Sequence, residues 1–147
     1  MDKKDFYART MHTPDDPARA RRRAALRETS KALLPLHQAL INVAKSDYAE
    51  ITSMAASPTE RVGLLMSDPF FAWLKPVTAL IVDIDEMARV DFEADDVAKI
   101  ADRVDKLFGA NAESEFAEKY IPTLQRDVDV AVAHAALRQA VKKLREE

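Results

Sequence analysis

From Leu26 onward, the apolar or small positions Leu26, Ser30, Leu33, His37, Leu40, Ala44, Tyr48 and Ile51 recur at spacings of four or three. That rhythm lays them along one face of a helix. Just upstream, TPDDP at 13 to 17 offers a cap residue and a first-turn proline, so the helix is expected to start near Asp16. Pro35 falls inside the pattern and predicts a kink or a split, because proline lacks a backbone donor and crowds the preceding turn. Beyond it, Ser57-Pro58-Thr59-Glu60 has the form of a capping box and opens a short helix carrying Val62, Leu65 and Met66.

A second long pattern follows Asp68-Pro69. Phe70, Trp73, Leu74, Val77, Leu80, Ile81, Ile84, Met87 and Ala88 keep a period of about 3.6 residues, with Pro76 as a further kink candidate. Val97, Ile100, Ala101, Val104 and Leu107 mark the next helix, which Gly109 is expected to end in the left-handed conformation that glycine adopts cheaply. Asn111 is the candidate cap of a helix with Phe116, Tyr120 and Leu124 inward and a break near Pro122. Val130, His134, Leu137, Val141 and Leu144 give a terminal amphipathic helix that ends in basic residues, as its dipole favours. The pattern predicts an all-α, single-domain irregular bundle of five to six helices over residues 13–147, behind a flexible N-terminal arm at 1–12.

Composition supports this reading. Two glycines in 147 residues and a 32% charged fraction disfavour sheets, whose turns need glycine and whose strands need alternation. A chain of this length buries roughly 70% of its unfolded surface, enough for one core. The absence of cysteine removes disulfides and thiolate chemistry and suits a cytoplasmic setting. The charged start, MDKKDFYART, lacks the apolar run of a signal peptide.

Charge is unevenly placed. Arg19, Arg21, Arg22, Arg23, Arg27 and Lys31 face only Glu28 between 17 and 31, whereas 83–96 carries seven acids against Arg89. The arginine run has no interleaved aromatic residues and sits in an acidic chain, so a nucleic-acid partner is not expected. It reads as a solvated face, or as a partner for the acidic segment within the chain or across a homodimer.

The stretch FFAWLKPVTALIVDIDE, 70 to 86, is too short and too interrupted by Lys75, Pro76 and Asp83 to span a membrane. On a helical wheel Phe71, Thr78 and Val82 form a second apolar face. Such coverage marks a helix central in the bundle or, if the helix is peripheral, an exposed patch around Phe71 and Val82 that serves as a contact surface. Asp85 lies at the stripe's border, where an arginine or a helix N-terminus is the expected partner.

His37 and His134 both fall on or beside inward faces, and an inward pair could bind metal or move a proton. Neither sits in a Glu-x-x-His or His-Glu-x-x-His motif, no phosphate-binding glycine loop or serine-nucleophile elbow is present, and no cofactor is implied. Tyr48, Asp85 and Asp47 are the expected hydrogen-bond partners of His37.

The segments LLPLHQALINVAKSDYA (33 to 49), MSDPFFAWLKPVTALIVDIDE (66 to 86) and FAEKYIPTLQRDVDVAVAHAAL (116 to 137) resemble those of a group of small bacterial proteins with no assigned function. The resemblance implies a bacterial, cytosolic, all-helical protein. The leading expectation is a noncatalytic helical domain that binds another protein or itself, through a surface near Phe71, Val82 and the acidic segment. The alternative is a small-ligand or metal-dependent enzyme with an interhelical site around His37, Asp85, Trp73 and Tyr48, opened by kinks at Pro35 and Pro76.

Overall fold

A computed structural model describes residues 14–52, residue 57 and residues 72–146, excepting the side chains of 48 and 50–52. The expected arm at 1–12, residues 58–60 of the capping box with the short helix after it, Phe70 and Phe71, and the side chain of Tyr48 lie outside the described residues. Within them the chain is all-α: five helices, in the order α1 (Pro17–Thr52), α2 (Lys75–Met87), α3 (Ala94–Phe108), α4 (Glu115–Arg126) and α5 (Val128–Leu144).

Helix α1 starts where its sequence signal lies. Asp16 Oδ1 accepts the Arg19 backbone N–H at 2.7 Å, and Pro17 fills the first helical position. This satisfies one of the orphan donors of the first turn. The helix carries on past Pro35, which faces solvent.

Two stripes of α1 are buried, Leu26, Ser30, Leu33, Leu40 and Ala44 on one and Ala25, Thr29, Leu36 and Val43 on the other. Helix α2 covers one side and α5 the other. Both run antiparallel to α1: Glu28 pairs with Lys143 at 2.9 Å and Asp47 with Arg126 at 2.6 Å along one flank, while contacts described below fix the direction of α2.

Helix α2 differs in its start from the sequence reading. Rather than sitting inside a helix that begins at Asp68-Pro69, Pro76 occupies the first turn of a helix beginning at Lys75. There its missing N–H costs nothing, because first-turn donors lack intrahelical partners anyway. Val77, Leu80, Ile81, Ile84 and Ala88 are buried as the period requires, and Met87 is half-buried.

Two further signals resolve differently. Ser114, not Asn111, caps α4, its Oγ accepting the Ala117 N–H at 3.0 Å. Gly109 ends α3 with φ −70° and ψ 153°, ordinary extended backbone in place of the left-handed turn. The glycine is needed for room: a Cβ there would stand 2.5 Å from the Asp105 carbonyl oxygen, to which Gly109 N–H donates. The link between α4 and α5 is shorter still, since Asp127 donates its N–H to Thr123 to close α4 and accepts the Val130 N–H on its carboxylate to open α5.

The core gathers three of its aromatic residues at one end of the bundle. Phe108, Phe116 and Tyr120 pack with ring centroids 5.0 to 5.3 Å apart, two of the contacts edge-on, as ring quadrupoles prefer. At the other end lies an unusual polar residue. Arg23, from the run expected to be solvated, is 3% exposed. Its Nε and Nη2 donate to the two Asp15 carboxylate oxygens at 2.8 and 3.0 Å. Nη1 donates to the carbonyls of Ala88 and Val90 at 2.7 and 2.9 Å, and the guanidinium lies 4.9 Å from the Phe92 ring centroid. Arg23 thereby joins the approach to α1, its second turn and the link that follows α2.

Removing one partner of a buried ion pair leaves the other charge and its acceptors uncompensated. Arg23→Ala is expected to lower the unfolding free energy by roughly 3 kcal/mol, read as a reduced urea midpoint. Arg23→Lys is expected to recover only part of it, because an ammonium cannot make the fork and the two carbonyl bonds together.

Candidate interaction surface on the α1/α2 seam

Three polar contacts set α1 against α2. Thr78 Oγ1 and His37 Nε2 are 3.2 Å apart, Ser30 Oγ donates to Asp85 Oδ1 at 2.5 Å, and Arg23 reaches the carbonyls of Ala88 and Val90. Residues 37, 30 and 23 on α1 step back by seven while 78 and 85 on α2 advance by seven. Two helical turns separate successive contacts, about 10 Å. The helices are therefore antiparallel, and each contact is a rung across their seam.

This arrangement answers what pairs with Asp85. Its partner is the hydroxyl of buried Ser30, neither an arginine nor a helix N-terminus. A border carboxylate can leave one edge in water and still satisfy a buried hydroxyl, which would otherwise be costly to desolvate. Among the described residues His37 bonds Thr78, and not Asp85 or Asp47; Asp47 is engaged by Arg126.

Between the His37 and Ser30 rungs, on the solvent side, stand two large apolar residues. Leu34 is four residues after Ser30 and three before His37; Val82 is four after Thr78 and three before Asp85. On helices with 3.6 residues per turn these spacings put Leu34 and Val82 at the same level, one on each side of the seam. Leu34 is 53% exposed and Val82 48%. Helix α2 is thus exposed on its Val82 side.

The sequence-derived candidates divide. His37, Val82 and Asp85 come together on this seam. Trp73 is elsewhere, half-buried against Phe116 at 5.4 Å between centroids, with Lys119 Nζ 6.0 Å from its ring centroid. It walls an open cleft of about 360 Å³ lined also by Val43, Ala44, Pro122 and Thr123 and rimmed by Asp47 and Arg126. Leu34 was missed because its neighbours Leu33 and Leu36 carry the core stripe and hide an outward leucine among inward ones.

His134 does not meet His37. Its Nδ1 is 2.6 Å from Tyr120 Oη, on the opposite side of the bundle where α4 packs on α5. Burial holds the Tyr120 hydroxyl well above its ordinary pKa, so the phenol stays neutral. Burial also depresses the pKa of both imidazoles, with the nearby Arg138 charge adding to the effect at His134. Asp105 behaves oppositely to a simply buried acid: desolvation raises it, but hydrogen bonds and charge from Arg138 and Arg145 outweigh that and hold it below its usual value.

Among the described residues no group of three or more histidine, aspartate or glutamate side chains could hold a metal ion. No described helix is long and apolar enough to cross a membrane. No family model matches the chain, and no match was found among curated proteins or solved structures.

The two histidines make a signed prediction. A base with a depressed folded pKa binds fewer protons in the native than in the unfolded state, so its contribution is intact above the ordinary value of 6.5 and is lost as pH falls below it. The melting temperature is expected to drop between pH 7.5 and 5.5, whereas Asp105 withdraws its contribution only below its ordinary 3.8. A His37→Gln, His134→Gln variant is expected to melt with little pH dependence in that interval; an unchanged slope would refute the assignment.

Proposed function

We propose that this chain is a noncatalytic helical interaction domain of the cytoplasm and that the outer face of the α1/α2 seam is its contact surface. The observation that carries the reading is the Leu34 and Val82 pair, exposed at one level between two hydrogen-bonded rungs. Apolar side chains held on a rigid frame lose little entropy on docking and release water when covered, which suits them as the centre of a contact. The rungs supply a polar border whose hydrogen bonds are already made, as at the rim of an interface. The individual contacts support this role over chemistry: His37 and Asp85 belong to different rungs and each is engaged by a hydroxyl. A cysteine-free chain is suited to a reducing compartment.

Affinity capture from a lysate with the tagged wild-type chain is compared with Leu34→Lys, Val82→Lys, both exposed positions. Specific proteins retained by the wild type, the chain itself included, are expected to be lost from the doubly substituted chain while its urea midpoint stays unchanged. Equal retention by both would overturn the role of this surface.

A second reading is favoured by the cleft at Trp73. Its volume falls within the usual range for small-molecule sites, its walls are apolar and aromatic, and Lys119 brings a cation over the ring. This moves the small-ligand alternative from His37 and Asp85 to the α1/α4 side, with an apolar anion as the fitting class. Anilinonaphthalene sulfonate is expected to bind there and draw energy transfer from Trp73, the single tryptophan. Lys119→Glu is expected to weaken it about tenfold, the worth of one partly desolvated charge contact. Transfer insensitive to that substitution would exclude the site.

A further inference from the structure

We infer that His134 is a proton-operated latch on α4: neutral, it accepts the Tyr120 hydroxyl and holds α4 against α5; protonated, it cannot accept, and α4 loosens. The inference depends neither on the α1/α2 surface nor on a ligand at Trp73.

The bond itself fixes the protonation states. Tyr120 is 1% exposed, and among the described residues its Oη has no hydrogen-bond partner besides His134 Nδ1, at 2.6 Å. A phenol hydrogen buried there needs an acceptor, because an orphaned buried donor is costly. Nδ1 is therefore the bare nitrogen of the neutral ring, and Nε2 carries the hydrogen. The imidazolium has hydrogens on both nitrogens. It could only donate to Oη, and the Tyr120 hydrogen would then lack an acceptor. Ionising the phenol offers no way out, since burial holds its hydroxyl well above its ordinary pKa.

The surroundings do not welcome the charge either. On α5, Arg138 stands one turn on and repels it, while Asp127 is engaged as the helix cap. From α3, Asp105 is turned to Arg138 and Arg145. On α4, Glu118 and Lys119 are exposed, and Lys119 lies over Trp73. The charges of α1 beside α5 and its approach are Glu28, paired with Lys143, and Asp47, paired with Arg126. The half-buried imidazolium gains hydration by turning outward, which breaks the bond.

Helix α4 is the element that such a loss releases. It has 12 residues with Pro122 among them, short for a helix and deprived of one backbone donor. Tyr120 to His134 ties it to α5 from a buried phenol, whereas its Arg126 to Asp47 pair is exposed. Elements held by few buried contacts open locally, below the free energy of global unfolding. The Tyr120 ring also stacks on Phe116, which packs on Trp73, so loosening α4 undoes one wall of the Trp73 cleft.

The test is amide hydrogen exchange on the full chain at about pH 7.5 and about pH 5.5, on either side of the ordinary imidazole value of 6.5 and corrected for intrinsic exchange rates. Burial and Arg138 lower the imidazole pKa, so proton uptake, and with it the loss of protection, sets in below 6.5. Protection of the α4 amides is expected to fall roughly tenfold more than that of the α3 amides, the effect of one orphaned buried donor. His134→Asn, whose amide oxygen can accept in place of Nδ1 and does not titrate, is expected to abolish the difference, and His37→Gln to leave it. Tyr120→Phe has no hydrogen to orphan, and its His134 is expected to titrate by NMR roughly 0.5 to 1 unit higher than in the wild type. Wild-type α4 protection indifferent to pH, a loss shared equally by α3, or a loss that persists in His134→Asn overturns the inference. So does a Tyr120→Phe chain whose His134 titrates no higher than in the wild type. Urea midpoints at the higher pH verify that the variants fold, and should His134→Asn not fold, the Tyr120→Phe titration decides.

Discussion

The buried guanidinium of Arg23 fixes how the longest helix lies against its neighbour. It is held by a carboxylate fork from Asp15 and by two carbonyls of the link after α2, and an aromatic ring covers it. Carbonyls at a helix C-terminus have no partners within their helix, and a cation there also meets the negative end of the dipole. One side chain therefore stops α2, anchors the start of α1 and sets the register between them. The Ser30 and His37 rungs repeat that register at intervals of seven residues. Because the spacing is common to both helices, the surface outside the rungs is fixed to the same frame.

That frame explains how this face differs from the α1/α5 and α3/α5 borders. Along α1/α5 and α3/α5 the borders are closed by long ion pairs: Lys143 with Glu28, Arg138 with Asp105, and Arg145 with both Asp102 and Asp105. Long charged side chains fold over apolar edges and shield them. Across the outer α1/α2 seam the rungs are short, a serine, a threonine, a histidine and an aspartate, and leave Leu34 and Val82 uncovered. The same seam thus combines strict positioning inside with open apolar surface outside.

Much of the fold was legible in the sequence. The start of α1, most inward positions of the described helices and the separation of α4 from α5 follow from local rules of capping and periodicity, which depend on neighbours within a few residues, although Phe108 and not Leu107 closes the buried stripe of α3. The errors were local signals with two possible meanings. Gly109 reads as a left-handed cap, yet its role is to leave space beside the Asp105 carbonyl, and a close approach is invisible until the chain has folded. Asn111 and Ser114 are both competent caps, and which one is used depends on where the link leaves α3. Pro76 can bend a helix or begin one, and it stands in the first turn of α2, after the turn at Trp73 and Leu74.

Helical class, core stripes and the poverty of conventional catalytic motifs are all readable along the chain, since each is a property of composition or of spacing along one helix. So are His37 on an inward face, Val82 on a second apolar face and Asp85 at a stripe's border. What these positions face depends on packing. Arg23 left the solvated run for the interior, Asp85 found a serine, His37 and His134 went to different seams, and Leu34 emerged opposite Val82. The outcomes on the α1/α2 seam depend on the relative register of two helices whose paired residues lie more than 40 apart in the chain, a quantity that no local pattern encodes and that packing together with one buried cation sets.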